Sequence, residues 1–188
     1  MITQTLAILD SARDAAAVAI ARNLSPRHQS LFDGAKGAEM ALAAPHLFEC
    51  DTAGNIAKLM LVLSGIGECG ILADIGQLPP LEARLSTETD DFTLVRRHFR
   101  RFLVVRRDAT GESAYFRYYD PRILRAFLPA CTPTELKQFF GPVVSFHVQD
   151  EVPGFVRTFS IRASGALLSQ QSPVDAFLAR RAGESKCK

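Results

Sequence analysis

The chain has 188 residues and a mass of 20.6 kDa, and its 47% hydrophobic and 22% charged residues are typical of a globular protein with a core of its own. The four cysteines lie far apart with no paired spacing, which argues against a zinc ribbon, a CxxC redox motif and a disulfide-rich secreted scaffold. The net charge of +2 combines −6 over residues 1–91 with +8 over residues 92–188, so the halves either neutralise each other in one fold or present contrasting surfaces to another macromolecule.

The first half of the chain predicts short strands that alternate with helices. Apolar runs that end at acidic or turn residues predict strands at residues 5–9, 28–32, 45–49 and 70–75. Helical spacing and composition predict helices at residues 14–24, 38–43 and 52–63. The stretch that begins at Pro79-Pro80 gives no clear signal.

The second half carries sharper signals. A helix is expected from Asp90-Asp91, and its apolar stripe leaves Arg96, Arg97, Arg100 and Arg101 on the wet side. Hairpins are expected at residues 103–107 with 114–118, and at residues 143–148 with 155–161. A last short helix is expected at residues 174–181, before a frayed tail at residues 183–188.

Two helix starts stand between these hairpins. Asp120-Pro121 pairs an N-cap carboxylate with a proline at the first helical position, and we expect Pro129 to end this helix. Residues 132–135 have the pattern of a capping box, and Gly141-Pro142 ends the second helix. The order of elements predicts one α/β domain over residues 1–188, with a mixed β-sheet flanked by helices.

A glycine-rich segment and a basic cluster suggest two alternative functions. Gly65-x-Gly67-x-x-Gly70 has the spacing of a dinucleotide fingerprint, which would fit a nucleotide-dependent enzyme, but a helix precedes it and a strand follows it, the reverse of what that site needs. The arginines between residues 96 and 107 would fit a nucleic-acid-binding protein. Because the nearby phenylalanines fall on the apolar stripe, we favour a solvated face or a surface for an acidic protein.

Apart from the glycine-rich segment, no pattern in the sequence points to catalysis, a metal or a cofactor. The four histidines show no ligand spacing, no serine lies in a nucleophile elbow, and we expect Cys69 to be a small buried residue. The apolar window at residues 56–75 is interrupted by charges, and the first ten residues lack a basic region, so we expect neither a membrane span nor a signal peptide. We therefore expect a cytoplasmic protein, and the residues by themselves leave catalysis open.

Arg117, Asp120 and Arg122 can form a compact charged unit. Asp120 caps the next helix, and a bidentate pair between an arginine and a carboxylate would lock strand to helix. One reading is a purely architectural capping network. In the other interpretation, one arginine is half-exposed and binds a partner protein.

These residues lie in a stretch that resembles the effector-adaptor family of bacterial type VI secretion. The likeness is specific in residues 115–124 (Tyr-Phe-Arg-Tyr-Tyr-Asp-Pro-Arg-Ile-Leu) and continues through residues 127–129, 132–136 and 139–143. Residues 9–13, 31–34 and 44–47 are similar to that family's opening elements, so the likeness covers about residues 6–144 and leaves residues 149–188 as a variable part. This chain has Gly67-Glu68-Cys69 where the family pattern carries a tryptophan.

The resemblance implies a non-enzymatic cytoplasmic chaperone that holds a toxic effector and helps to load it onto the VgrG spike protein. It implies protein partners, with no nucleic acid, membrane or cofactor. The partner-binding residues expected from signature and charge are Arg117, Asp120 and Arg122, together with Arg96, Arg97, Arg100 and Arg101.

Overall fold

The computed structural model describes residues 2, 4–25, 27–40, 43–50, 52–65, 68–79, 90–106 and 110–184. The strands are β1 (Gln4–Asp10), β2 (His28–Ser30), β3 (Pro45–Cys50), β4 (Gly70–Ile75), β5 (Val104–Arg106), β6 (Ser113–Tyr115), β7 (Val143–Gln149), β8 (Phe155–Ile161) and β9 (Leu167–Pro173). The helices are α1 (Ala15–Leu24), α2 (Gly34–Glu39), α3 (Ala53–Gly65), α4 (Asp91–Arg100), α5 (Pro121–Ala130), α6 (Pro133–Phe140) and α7 (Val174–Glu184).

The main sheet has seven strands in the order β2-β3-β1-β4-β7-β8-β9, and β5 and β6 form a separate ribbon. This arrangement confirms the expected α/β domain with a helix-flanked sheet. The sheet is not mixed, however, because each strand pair in the described residues is antiparallel. Helix α3 does connect two strands of the same direction, β3 and β4, but β1 lies between them and pairs with both in the opposite direction.

Helices cover both faces of the sheet and give two cores. Alternation along β1 sends Leu6 and Ile8 into a core with α4, α5 and α6, and sends Ala7 and Leu9 into a core with α1, α3 and α7. The first core is rich in aromatic side chains and includes Tyr118. Residues 115–124, which we call the signature segment, therefore contribute Tyr118, Tyr119 and Leu124 to the core on one face of the sheet.

Three local expectations need correction. Helix α5 continues through Pro129 to Ala130, since this proline lies in the last turn. Helix α2 occupies residues 34–39 and not residues 38–43, because Gly34 takes a positive φ of 69° and the Gly37 amide donates to the Asp33 carbonyl. Strand β9 was not expected, because its serines and glutamines lack the apolar alternation of a half-buried strand. Residues 80–89 and 107–109, including Arg107, lie outside the described residues.

Replacing Gly70 with alanine is expected to lower the free energy of unfolding by about 1–3 kcal/mol. A β-carbon at Gly70 would lie 2.3 Å from the Ile8 carbonyl oxygen and 2.7 Å from Leu9 Cδ2, so β4 approaches β1 too closely for any side chain there. Urea unfolding measures the effect. The control is Gly183→Ala on α7, where nothing lies within 4 Å and no loss is expected; equal effects at both positions would contradict this reading.

Candidate partner-binding site

The signature segment turns a corner between the β5–β6 ribbon and α5. Tyr118 anchors this corner: its side chain is buried, and its hydroxyl donates to the Phe99 carbonyl of α4 at 2.9 Å. Its ring packs edge-on against Phe139 of α6, with 5.6 Å between the ring centroids. The corner is therefore fixed to two helices before any charged group is considered.

Asp120 begins α5, as expected from the sequence. Its carboxylate accepts from the Arg122 amide at 3.0 Å and receives a bidentate pair from the Arg122 guanidinium, at 3.0 Å from Nε and 2.6 Å from Nη2. Burial alone would raise the pKa of Asp120, but these hydrogen bonds outweigh it and hold the pKa below its usual range. The Asp120 side chain is 2% exposed and that of Arg122 is 48% exposed.

Arg117 pairs with a residue that the sequence did not single out. Its guanidinium donates to the carboxylate of Asp10, the last residue of β1. The Asp10 side chain is 1% exposed while that of Arg117 is 42% exposed, and the same carboxylate accepts from the Ala12 amide at 3.0 Å. The bidentate pair of Arg122 with Asp120 therefore lies within the first turn of α5. The salt bridge between Arg117 and Asp10 is what connects this segment to the central strand β1.

Glu68 and Arg125 extend this chain of charges. Arg125 Nη2 lies 2.8 Å from Glu68 Oε1, and Arg122 Nε lies 3.3 Å from Glu68 Oε2. Glu68 has a positive φ of 53° just before β4, and its amide donates to the Gln149 side chain at 3.1 Å. We call Asp10, Glu68, Arg117, Asp120, Arg122 and Arg125 together the sheet-end network, because it covers the end of the sheet where β1 and β7 finish and β4 begins.

The sheet-end network joins the two oppositely charged halves of the chain. Asp10 and Glu68 come from the acidic half, and their arginine partners come from the basic half. Asp33 and Asp74 of the acidic half likewise pair with arginines of the basic half. Many charges of the two halves therefore neutralise each other within the fold. At the sheet-end network, the half-exposed arginines are the charged groups that reach the surface.

The arginines of α4 do not form one surface. Arg96 Nε donates to the Ser30 carbonyl at 2.8 Å, Arg100 Nε donates to the Leu31 carbonyl at 3.0 Å, and both guanidiniums pair with Asp33. These two side chains hold α4 against the β2–α2 connection. Arg97 and Arg101 line a cleft on another side of the helix.

The glycine-rich segment connects α3, which ends at Gly65, to β4, which begins at Gly70. Gly67 lies outside the described residues. This helix-to-strand order is the one expected from the sequence, and it lacks the helix N-terminus on which a pyrophosphate would rest. Cys69 is buried as expected, and burial raises the pKa of its thiol to about 11, so it is a packed residue rather than a thiolate.

A buried Asp-His-Ser cluster lies on the α7 face of the sheet. The Asp74 carboxylate lies 2.7 Å from His147 Nε2 and accepts from the Ser145 hydroxyl at 2.8 Å. The Ser145 hydroxyl lies 3.2 Å from that same Nε2, whereas a hydrolase places its carboxylate and its serine on opposite nitrogens of the imidazole. Arg181 of α7 completes the cluster by donating to Asp74. This geometry fits a cluster that holds α7 on the sheet through Arg181, and it does not fit a serine nucleophile with a histidine base.

The buried imidazole of His98 is expected to make the protein less stable in acid. Burial lowers its pKa to about 4 from an ordinary 6.5, so between these pH values the unfolded chain takes up the proton first. The contribution of His98 to the free energy of unfolding is fully present above pH 6.5 and decreases as the pH falls towards 4. At pH 5 the decrease is about 2 kcal/mol. Urea unfolding of the wild type and His98→Gln at pH 7 and pH 5 measures it. The variant is expected to lose about 2 kcal/mol less, and equal losses would contradict the assignment.

The described residues contain neither a metal-ligand cluster nor a helix that could span a membrane. Among the described residues, no group of three or more histidine, cysteine or acidic side chains is placed to hold a metal ion. No helix in that same part of the chain is long and apolar enough to cross a membrane.

A family model described as "Domain of unknown function (DUF4123)" matches residues 6–138, from within β1 to within α6. No curated protein and no solved structure matches the chain.

Proposed function

The chain belongs to the family described as a domain of unknown function (DUF4123), and from that premise we propose that it is a cytoplasmic, non-enzymatic adaptor. It binds a type VI secretion effector and helps to load it onto the VgrG spike protein. The proposal rests on the resemblance of residues 115–143 to the effector-adaptor family, and those residues lie largely within the matched range.

The sheet-end network is the observation that supports this proposal most strongly. Buried Asp10 and Asp120 each fix one guanidinium, so Arg117 and Arg122 are oriented before a partner arrives while about half of each side chain faces solvent. An oriented guanidinium loses little side-chain entropy when it binds a carboxylate or a backbone carbonyl. The network thus offers rigid donors to another polypeptide, and the adaptor needs no chemistry of its own.

Co-purification from cells that carry the neighbouring genes tests the proposal. The tagged wild-type chain is expected to retain a toxin and a spike protein at low salt and to lose them as salt rises, because charged contacts are screened. Two paired variants probe the site, Asp10→Asn/Arg117→Gln and Asp120→Asn/Arg122→Gln. Each removes one acid together with its arginine, so that no buried charge is left alone.

The matched control is Arg27→Gln/Asp90→Asn. It removes an arginine and an N-cap aspartate whose Nη2 and Oδ1 atoms lie 2.6 Å apart at the β2 edge of the sheet. We expect the sheet-end variants to retain at least tenfold less effector or spike protein and the control to behave like the wild type. Retention of neither protein by the wild type would contradict the proposal, as would a gel shift with nucleic acid or a shift of several degrees in melting temperature with NAD or ATP.

A further inference from the structure

Strand β9 forms one edge of the seven-stranded sheet. It pairs with β8 and with no other strand in the described part of the chain. The pairing runs without a register shift from Phe155 with Pro173 to Ile161 with Leu167. In an antiparallel ladder, the amide and carbonyl of every second residue point away from the partner strand. Strand β9 therefore presents a regular row of backbone hydrogen-bonding groups at the open side of the sheet.

The two edges of the sheet differ in how they are protected. The other edge strand, β2, has three residues, and the carbonyls of Ser30 and Leu31 at its end accept from arginines of α4. Strand β9 has seven residues, none of them charged, and its proline is the last of them. Proteins protect long edge strands with charges, prolines, bulges or a covering segment. The first three are missing along β9, so its edge can pair with a further strand.

The surroundings of β9 are open on both faces of the sheet. Residues 168–171 are exposed one after another, and successive side chains of a strand point to opposite faces. Ser172 faces α7, because its hydroxyl accepts from Arg180 of α7 at 3.0 Å. Leu168 and Gln170 share that face with Ser172 because of the same alternation. An added strand would therefore lie beside Leu168 at one point and beside Arg180 at another.

These two side chains indicate the chemistry of the added strand. Leu168 is 38% exposed, so an apolar neighbour would bury it further. Arg180 is exposed and oriented by the Ser172 hydroxyl, and no carboxylate pairs with it in the part of the chain that the structure describes. A carboxylate is therefore the complementary group. Strand β9 has no acidic residue, so a second copy of this strand could not supply it, whereas a different protein can.

The register fixes the spacing of the two complementary side chains. Every described strand pair of the main sheet is antiparallel, and an antiparallel addition continues that pattern. Leu168 and Ser172 are four positions apart in β9. In an antiparallel partner, the residue opposite Ser172 therefore comes four positions before the residue opposite Leu168. The pattern expected in the partner is an acidic residue followed four positions later by an apolar one.

We propose that the edge of β9 binds an extended segment of a partner protein as an added antiparallel strand, with an acidic residue beside Arg180 and an apolar residue beside Leu168. Backbone hydrogen bonds supply the affinity, and the two side chains supply the selectivity. The strand lies beyond the residues 6–138 that match the family model, and none of these residues belongs to the sheet-end network. The proposal does not depend on the adaptor function.

The test is an NMR titration of the full chain with a threonine-rich decapeptide that carries glutamate four positions before leucine. Binding is expected to slow hydrogen exchange at alternate amides of β9, because only these point to the added strand. Two versions of the peptide are N-methylated at alternate residues, one version at each of the two sets. One version is expected to lose binding and the other to keep it, since only one set of peptide amides faces β9.

Variants of the chain test the two side chains. Arg180→Glu is expected to reverse the preference between the glutamate peptide and its lysine counterpart, and Lys58→Glu on α3 is expected to leave it unchanged. Leu168→Ser is expected to weaken binding about fivefold, and Ile20→Ser, which alters an exposed apolar residue of α1, to have no effect.

Four results would overturn the proposal. The first is unchanged exchange in β9 with the glutamate peptide, and the second is equal binding of the two methylated versions. The third is an equal effect of Lys58→Glu and Arg180→Glu. The fourth is a dimer of the wild-type chain in which the alternate amides of β9 already exchange slowly without peptide, since a second copy would then occupy the edge.

Discussion

Replacing Arg181 with methionine is expected to lower the free energy of unfolding by about 3–5 kcal/mol, because it leaves an anion in the core without its arginine. Arg181 donates to Asp74, and its guanidinium lies 5.2 Å from the centroid of the Phe177 ring. Asp74 is 1% exposed and also accepts from the Thr5 hydroxyl at 2.8 Å. Burial alone would raise the pKa of Asp74, but the hydrogen bonds and charges of His147 and Arg181 hold it well below its usual range. Urea unfolding at pH 7 measures the loss.

The neighbouring arginine provides the control for this prediction. Arg180 is exposed and donates to the Ser172 hydroxyl at 3.0 Å, so Arg180→Met is expected to cost less than about 1 kcal/mol. Adding Asp74→Asn to Arg181→Met removes the stranded charge and should restore about 1–2 kcal/mol. If Arg180→Met and Arg181→Met destabilise equally, the buried carboxylate is not what holds α7 on the sheet.

Replacing Arg117 with glutamine is expected to lower the free energy of unfolding by about 2–4 kcal/mol, because Asp10 loses the guanidinium that balances its buried charge. Burial alone would lower the pKa of Arg117, but the hydrogen bond and the charge of Asp10 raise it above its usual range. The pair therefore favours the charged form of the arginine in the folded state. Urea unfolding of the variant measures the effect.

The rescue by Asp10→Asn separates this stability role from partner binding. An asparagine keeps the acceptor for the Ala12 amide and carries no charge, so Asp10→Asn/Arg117→Gln should regain most of the lost stability. Arg27→Gln, which opens a half-exposed pair with Asp90, is expected to cost less than about 1 kcal/mol. A double variant as unstable as Arg117→Gln alone would show that the charge of Asp10 is not the cause.

Local signals carried the sequence-based predictions that the structure confirms. The Asp90 cap of α4 and the capping box at Thr132 and Glu135 depend only on residues within one turn, so spacing alone reveals them. The helix that begins at Asp120-Pro121 was found for the same reason. The β7–β8 hairpin was likewise visible as two runs around one turn.

Contacts between distant residues could not be predicted in this way. Arg117 and Asp10 are 107 positions apart, and so are Arg181 and Asp74, so no local pattern relates them. The sheet was predicted to be mixed, and its strands are antiparallel because β1 lies between β3 and β4. The order of elements along the chain does not reveal this insertion. The signature therefore indicated Arg117, Asp120 and Arg122 as a candidate site, whereas Asp10, the partner of Arg117, became visible only in the fold.

The arginines of the basic half of the chain differ in what they contact. Arg117 and Arg122 are oriented by buried acids and remain half-exposed. Arg97 and Arg101 line a cleft between α4 and α6. Arg96 and Arg100 are used within the fold.

Size-exclusion chromatography of three purified proteins tests the adaptor function most directly: this chain, the toxin encoded next to it and the adjacent spike protein. At low salt we expect the three to elute as one complex, and the complex to form with at least tenfold lower yield when the chain carries Asp10→Asn/Arg117→Gln and Asp120→Asn/Arg122→Gln together. Separate elution of the folded wild-type chain from both proteins would contradict the adaptor function.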